Sequence, residues 1–461
     1  MSDTATRADI SRLFGRAAFG ATKKDLDTWT GQPYAAAVDS LFPPGPPGSS
    51  GRLPQSDEAE QAVQDYQTND VASAYRWWLD RMRATPYPLE ERLTLFWHDH
   101  FATAAIGSPD VGMVMVQNKT LRANALGSFR TLANAMTVDP AMVMWLSGVA
   151  NHVGGVNENY AREFLELFTL GKVPQVYTET DIREAAKAFT GFTYNTITRA
   201  TEFVPTRHDA TVKTVLGRSV GGHLPGSPEE AVEYREVTEA ALAHDGGRTA
   251  SRFVAYKLVQ QLGYEVTGLA ADDPVVEDVA AALRANDAWD IRAAVRTLLL
   301  HPGWREADPA RRLVRSPVEV AVHAARVLGY PAPTVYGSLL WPLAIQGVMS
   351  ERTLQVPLQP PNVGGWPHGL DWLSQVSVLA RYDVIYTIVR YFHNAGLSFV
   401  NVLPPSGDLA AWAAYMGLDG FTTSTTLRLR EYLDDPGTTD EIQKQIGMFV
   451  LVGTSPDWQV M

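Results

Sequence analysis

Residues 157–171 read NENYAREFLELFTLG, and this stretch decides the class of fold. At about 100° per residue, Tyr160, Ala161, Phe164, Leu165, Leu167, Phe168 and Leu170 share one wide apolar face, which is the period of a helix and not of a strand. Asn157 is placed to cap the first turn and Gly171 to end the last. Just beyond, Thr178 and Asp181 have the spacing of a capping pair, so a second helix is expected over Glu179 to Phe189. Upstream, Pro88 suits a first helical turn, with Glu90 and Glu91 near the positive end of the helix dipole, and a helix is expected from there to about Thr103.

The same periodicity recurs over residues 8–20, Lys23 to Phe42, Glu58 to Thr85, Val114 to Ala125, Phe129 to Asn134, and at intervals from Pro228 to Leu328. Two stretches break it. Residues 43–57, PPGPPGSSGRLPQSD, hold too much Pro, Gly and Ser for regular structure and read as an exposed loop. Residues 194–222 alternate, carry β-branched side chains, and read as a short hairpin or ordered loop. The expected fold is therefore mainly α: a multi-helix globular domain over 1–390 with one short non-helical insertion, then a helical extension over 391–461 packed on it.

Composition narrows the chemistry. With 39 Lys and Arg against 51 Asp and Glu, the formal charge of -12 argues against binding nucleic acid through its phosphates. The absence of cysteine removes disulfides, thiol nucleophiles and cysteine-ligated metals, leaving His, Asp and Glu as ligands or catalysts. Neither Gly154-Gly155 nor Gly221-Gly222 has the spacing of a phosphate-binding loop or a dinucleotide fingerprint, so no nucleotide is expected. No serine elbow and no His-Glu-x-x-His string occurs. No secretory signal and no run of about 18 apolar residues is seen, so a cytoplasmic protein without a membrane span is expected.

Three groups of residues stand out. In Trp97-His98-Asp99-His100-Phe101, His100 joins Leu93, Phe96 and Trp97 on the core-facing stripe while His98 points elsewhere; His100 is either a core histidine bonded to a carbonyl or a ligand. Glu163 falls inside the apolar face of 157–171, where a carboxylate costs several kcal/mol unless protonated, paired or metal-bound. Its bland explanation is a buried bridge to Arg122, Arg130 or Arg162; Glu166 sits at the edge of that face, beside Arg162. Arg207-His208-Asp209 and Lys213 lie in the non-helical insertion, where a scaffold positions polar groups or a turn is capped. A fourth stretch, 360–369, PPNVGGWPHG, reads as a packed loop.

In order and spacing, RLFGRAAFGAT, FWHDHF, NENYAREFLELFTLG with YTETDIREAAKAFTGF, HDATVKTVLG and PPNVGGWPHGLDW resemble the domain of unknown function 1800 family over about the first 390 residues. The resemblance implies a helical domain whose recurrent polar residues are here His100, Asn157, Glu158, Asn159, Arg162, Glu163, Glu166, Asp181, His208, Asp209 and Lys213. Many members carry His where this chain has Phe168, which removes one ligand. The expected site gathers His100, Glu163, Glu166 and His208 around a divalent metal (Zn, Mn or Fe). Glu163, Asp209, Lys213 and Arg162 would be catalytic, in a hydrolytic or oxidative reaction on a small-molecule or carbohydrate substrate. Two alternatives stand beside it: a metal-free carbohydrate-active enzyme using a carboxylate pair such as Glu163 and Asp209, and a non-catalytic scaffold or protein partner with buried ion pairs.

Overall fold

The computed structural model describes residues 4–45, 71–107, 109–173, 175–196, 198, 200–306, 313–329, 355–394 and 403–460. Helices begin where the chain supplies caps. Thr6 with Asp9, Thr22 with Asp25, Thr178 with Asp181 and Ser316 with Glu319 form reciprocal boxes, each satisfying two amides that a helix start leaves open. Pro88 opens the helix Pro88–His100, as its position in sequence predicts. Of the expected helix over 58–85, Val71–Ala84 is helical; residues 46–57 of the expected loop and 58–70 lie outside the described residues.

The helices enclose two apolar cores. One gathers Arg7–Ala17, Phe129–Thr137, Glu179–Ala188, Tyr234–Ala243, Arg248–Leu262, Pro274–Arg284 and Ile291–Leu300. The other gathers Val71–Ala84, Pro317–Leu328, Gln375–Asn394 and Glu441–Thr454. Pro88–His100 runs between them, giving Leu89, Leu93, Phe96 and Trp97 to the first and Leu95 to the second. Its polar residues are buried too: Glu91 bonds Arg81 and Arg122, and Arg92 pairs with Glu319 at 2.7 Å. A charge buried from both sides has to be matched by another, and these bridges match it.

The boundary expected at 390 falls inside Gln375–Asn394, which packs against both Pro317–Leu328 and Glu441–Thr454. The carboxyl-terminal residues close the same core, with Arg315 N–H donating to the Gln459 carbonyl at 2.9 Å. The non-helical insertion holds two antiparallel hairpins where one was expected: β1 (Phe192–Asn195) with β2 (Ala200–Phe203), and β3 (Val212–Val215) with β4 (Arg218–Gly221). Leu216 and Gly217 turn the second hairpin with φ of 51° and 75°, a mirror-image turn that matches strand twist. Leu216 tolerates that backbone because its N–H donates to Asp181 Oδ1 at 2.7 Å, tying the hairpin to the helix Glu179–Ala188. Among the described residues no helix is long and apolar enough to cross a membrane.

Candidate functional site

The 157–171 stretch folds differently from one continuous helix. Asn157 Oδ1 accepts from Asn159 N–H at 3.0 Å in a local turn, Glu158 takes the cap position, and the α-helix covers Asn159–Glu163. Phe164–Thr169 then widens into a π-helical turn, with Leu170 N–H reaching back five residues to the Leu165 carbonyl at 2.9 Å. Gly171 ends it at φ 81°, where a Cβ would stand 2.7 Å from Phe253 and 2.9 Å from Leu269, so this position requires glycine.

The widened turn changes what its carboxylates meet. None of the three arginines considered for Glu163 reaches it: Arg122 bonds Glu91, Arg130 bonds Glu239 and Asp287, and Arg162 grips Glu179 with two bonds of 2.9 and 2.7 Å. The Arg162–Glu166 surface pair is likewise replaced, because Glu166 pairs with Lys172 at 2.9 Å. Glu163 is half-buried and makes no hydrogen bond or ion pair among the described residues. Burial and then the Glu166 charge push its carboxyl above the ordinary range, while Lys172 and Arg162 pull the other way. Tyr177 fixes the turn by donating to the Gly171 carbonyl at 3.2 Å.

Lys172 and Val173 lead directly into a cavity of about 670 Å³. Its other walls are the start of Arg248–Leu262, the loop holding Leu269 and Ala270, and the helix Pro274–Arg284. The volume suits a small organic molecule.

Of the two histidines expected at this site, His100 meets the π-turn at Phe168 and His208 belongs to another network. His100 is buried among Phe96, Trp97, Phe101, Phe129, Phe168 and Phe253, with Nε2 3.0 Å from the Phe168 carbonyl. A carbonyl can only accept, so Nε2 carries the proton; burial, then the Lys257 charge, pushes the imidazole down to about 3, keeping it neutral. His98, expected on another face, is also fully buried, between Trp78 and Trp366, because this helix is enclosed on all sides.

His208 and Lys213 converge on a residue that sequence reading missed. Glu233, fully buried, takes His208 Nε2 at 3.2 Å and Lys213 Nζ at 2.5 Å. Nδ1 of His208 lies 2.9 Å from the Thr190 carbonyl, and Lys213 also donates to the Asp209 carbonyl. Asp209 is spent on its own turn, accepting from Thr211 N–H and Oγ1. These groups weld the connection between the two hairpins to the start of the helix Tyr234–Ala243.

The late loop is a clamp rather than free packing. Asp99 accepts Trp366 N–H at 2.6 Å and lies 3.1 Å from His368 Nε2, and Gly365 approaches so closely that a Cβ would stand 2.3 Å from Asp99 Oδ1. The cleft beside it, lined by Arg92, Gln260, Glu319 and Trp372, holds about 40 Å³, room for a water or so. Nothing in the local spacing of Asp99 signals this, since Trp366 lies 267 residues further along and His368 just beyond it.

Among the described residues no three His, Asp or Glu side chains are grouped to hold a metal ion. The set His100, Glu163, Glu166 and His208 does not converge: an aromatic core takes the first, the π-turn the carboxylates, and the Glu233 network the last. Of the carboxylates Glu163 and Asp209, Asp209 caps a turn while Glu163 stands beside Glu166.

A family model described as a protein of unknown function, DUF1800, matches residues 12–460, well past the 390 residues over which the resemblance was expected. No curated protein and no solved structure matches the chain. A match over nearly the whole length places the chain in the DUF1800 family.

Proposed function

We propose that the chain is an enzyme performing metal-free acid–base chemistry, hydrolytic in type, on a small molecule, with Glu163 as proton donor and Glu166, paired with Lys172, as the base. The observation that carries this reading is the unequal setting of two neighbouring carboxylates. Glu163 is half-buried without a counter-ion, whereas Glu166 is paired with Lys172. A carboxyl that burial pushes above its ordinary range suits the acid role, and the neighbour held by a cation suits the base. In a hydrolytic cycle Glu163 protonates the departing oxygen, Glu166 takes a proton from the water that attacks the opposite end of the breaking bond, and the proton gained by Glu166 passes back to Glu163 when products leave. Arg162, held by Glu179, is a positioning residue that fixes the helix carrying both.

The first prediction separates this reading from a scaffold. Glu163→Gln is expected to melt at or above the wild-type temperature at neutral pH, since no partner is lost. An acid whose folded pKa is raised contributes stability below its ordinary value that is lost as pH rises through the shifted one, and the amide removes that loss. On a panel of phenyl glycosides, acyl esters, phosphates and sulfates, whose phenoxide needs a proton to depart, hydrolysis by the wild type, assayed with and without chelator, should fall by about 10²–10⁴-fold in the variant. A variant destabilised by several kcal/mol, or one retaining full activity, overturns the assignment.

A further inference from the structure

We infer that the 670 Å³ cavity beside the π-turn binds an organic anion with an apolar body, its charged group meeting Arg248 and Arg284. The inference rests on the reading of Glu163 and Glu166 only for calling that molecule a substrate; the binding itself stands on the cavity.

The apolar part of the argument is the wall. Val173, Leu269 and Ala270 line the space. Leu269 is backed by Gly171, so the end of the 157–171 stretch and the floor of the cavity are one packed unit. Apolar walls with a few charged groups at fixed points are what organic ligands require.

The charge follows from counting partners. Four cations line the cavity, and two are already matched: Lys172 by Glu166 at 2.9 Å, and Arg252 by Glu277 at 2.6 Å. Arg284 donates to Ser251 Oγ at 3.1 Å and has no carboxylate partner among the described residues. Arg248 makes no hydrogen bond or ion pair from its side chain among them. Against these two stands Asp245, leaving the lining with a net excess of positive charge inside a chain of formal charge -12. Arg248 also begins the 15-residue helix Arg248–Leu262, whose first turn has Gly247 at its cap position and no capping side chain, so the helix dipole adds to the same sign. A planar guanidinium suits carboxylate, sulfate and phosphate alike.

The test uses 1-anilinonaphthalene-8-sulfonate as the charged probe and N-phenyl-1-naphthylamine as its uncharged counterpart, titrated into the full chain. Wild type should bind one equivalent of the sulfonate, and Arg248→Glu should weaken that binding about tenfold or more while leaving the neutral probe and the melting temperature unchanged. Displacement by octanoate, octyl sulfate or octyl phosphate then identifies which anionic group is preferred. Sulfonate binding unaffected by Arg248→Glu and by Arg284→Gln would overturn the inference, as would equal loss of both probes. The two readings fail separately. Anion binding that persists unchanged in an active Glu163→Gln enzyme sinks only the acid–base assignment, whereas lost hydrolysis in Glu163→Gln without any Arg248-dependent binding sinks only the ligand class.

Discussion

Replacing Glu91 by alanine is expected to lower the free energy of unfolding by about 3–5 kcal/mol at neutral pH, the cost of leaving buried charges without their partner. Glu91 has no exposed surface, and its two oxygens take Arg81 Nε at 2.6 Å, Arg122 Nε at 2.5 Å, Arg122 Nη2 at 3.0 Å and Trp78 Nε1 at 3.0 Å. Without it, two guanidiniums face each other and the Trp77 ring in a space closed to water. Burial pushes the Glu91 carboxyl up, but Arg122 and Arg81 together pull it down further, to about 2. An acid with a depressed folded pKa contributes stability above its ordinary value, and that contribution is lost as pH falls through the folded value. The gap between wild type and Glu91→Ala should therefore be full above about pH 5 and shrink towards pH 2. Urea unfolding at pH 7 and at pH 3 checks both parts, and a loss below about 1 kcal/mol at pH 7 would contradict the bridge.

Glu233→Ala should be damaging on the same scale, about 3–5 kcal/mol, because it strands Lys213 beside the Asp209 carbonyl alone and takes the one carboxylate from His208. Gly221→Ala is a second route to the same network: its φ of 78° disfavours a side chain, and a Cβ would stand 2.5 Å from the Glu233 carboxyl. Both should lower the melting temperature and speed amide exchange in β3 and β4, which this network ties down. If Glu233→Ala kept wild-type stability while hydrolysis vanished, His208 and Lys213 would return as catalytic candidates. Paired buried carboxylates and the unpaired Glu163 are thus expected to give opposite stability outcomes, and that contrast tells strut from site.

How much of this was legible beforehand depended on the range over which each feature is encoded. The helix starts at Pro88 and at Thr178 with Asp181 are written within four residues, and the sequence shows them. The oddity of Glu163 was visible too, because an apolar stripe has no place for a carboxylate. Its lack of a partner was not, since that required knowing where Arg122, Arg130 and Arg162 are spent. The π-turn escaped periodicity because a single residue more per turn leaves the apolar content of the segment unchanged. Glu233 escaped because it belongs to a helix start outside the hairpins it secures, and the clamp on Asp99 because its far half is written in another stretch of chain. The cavity is a relation among four elements, and none of them carries it in its own pattern.

The π-turn also makes chain length a positional variable. The π-turn lets the segment carry one residue more than an α-helix between the same flanks, so winding it as an α-helix at its present length would turn everything after it by roughly 100° and shift it by about 1.5 Å along the axis. Gly171 would then no longer face Phe253 and Leu269, and Lys172 would leave both Glu166 and the cavity mouth. The segment thus acts as a phase setter: its winding decides whether Lys172 stands between Glu166 and the cavity wall.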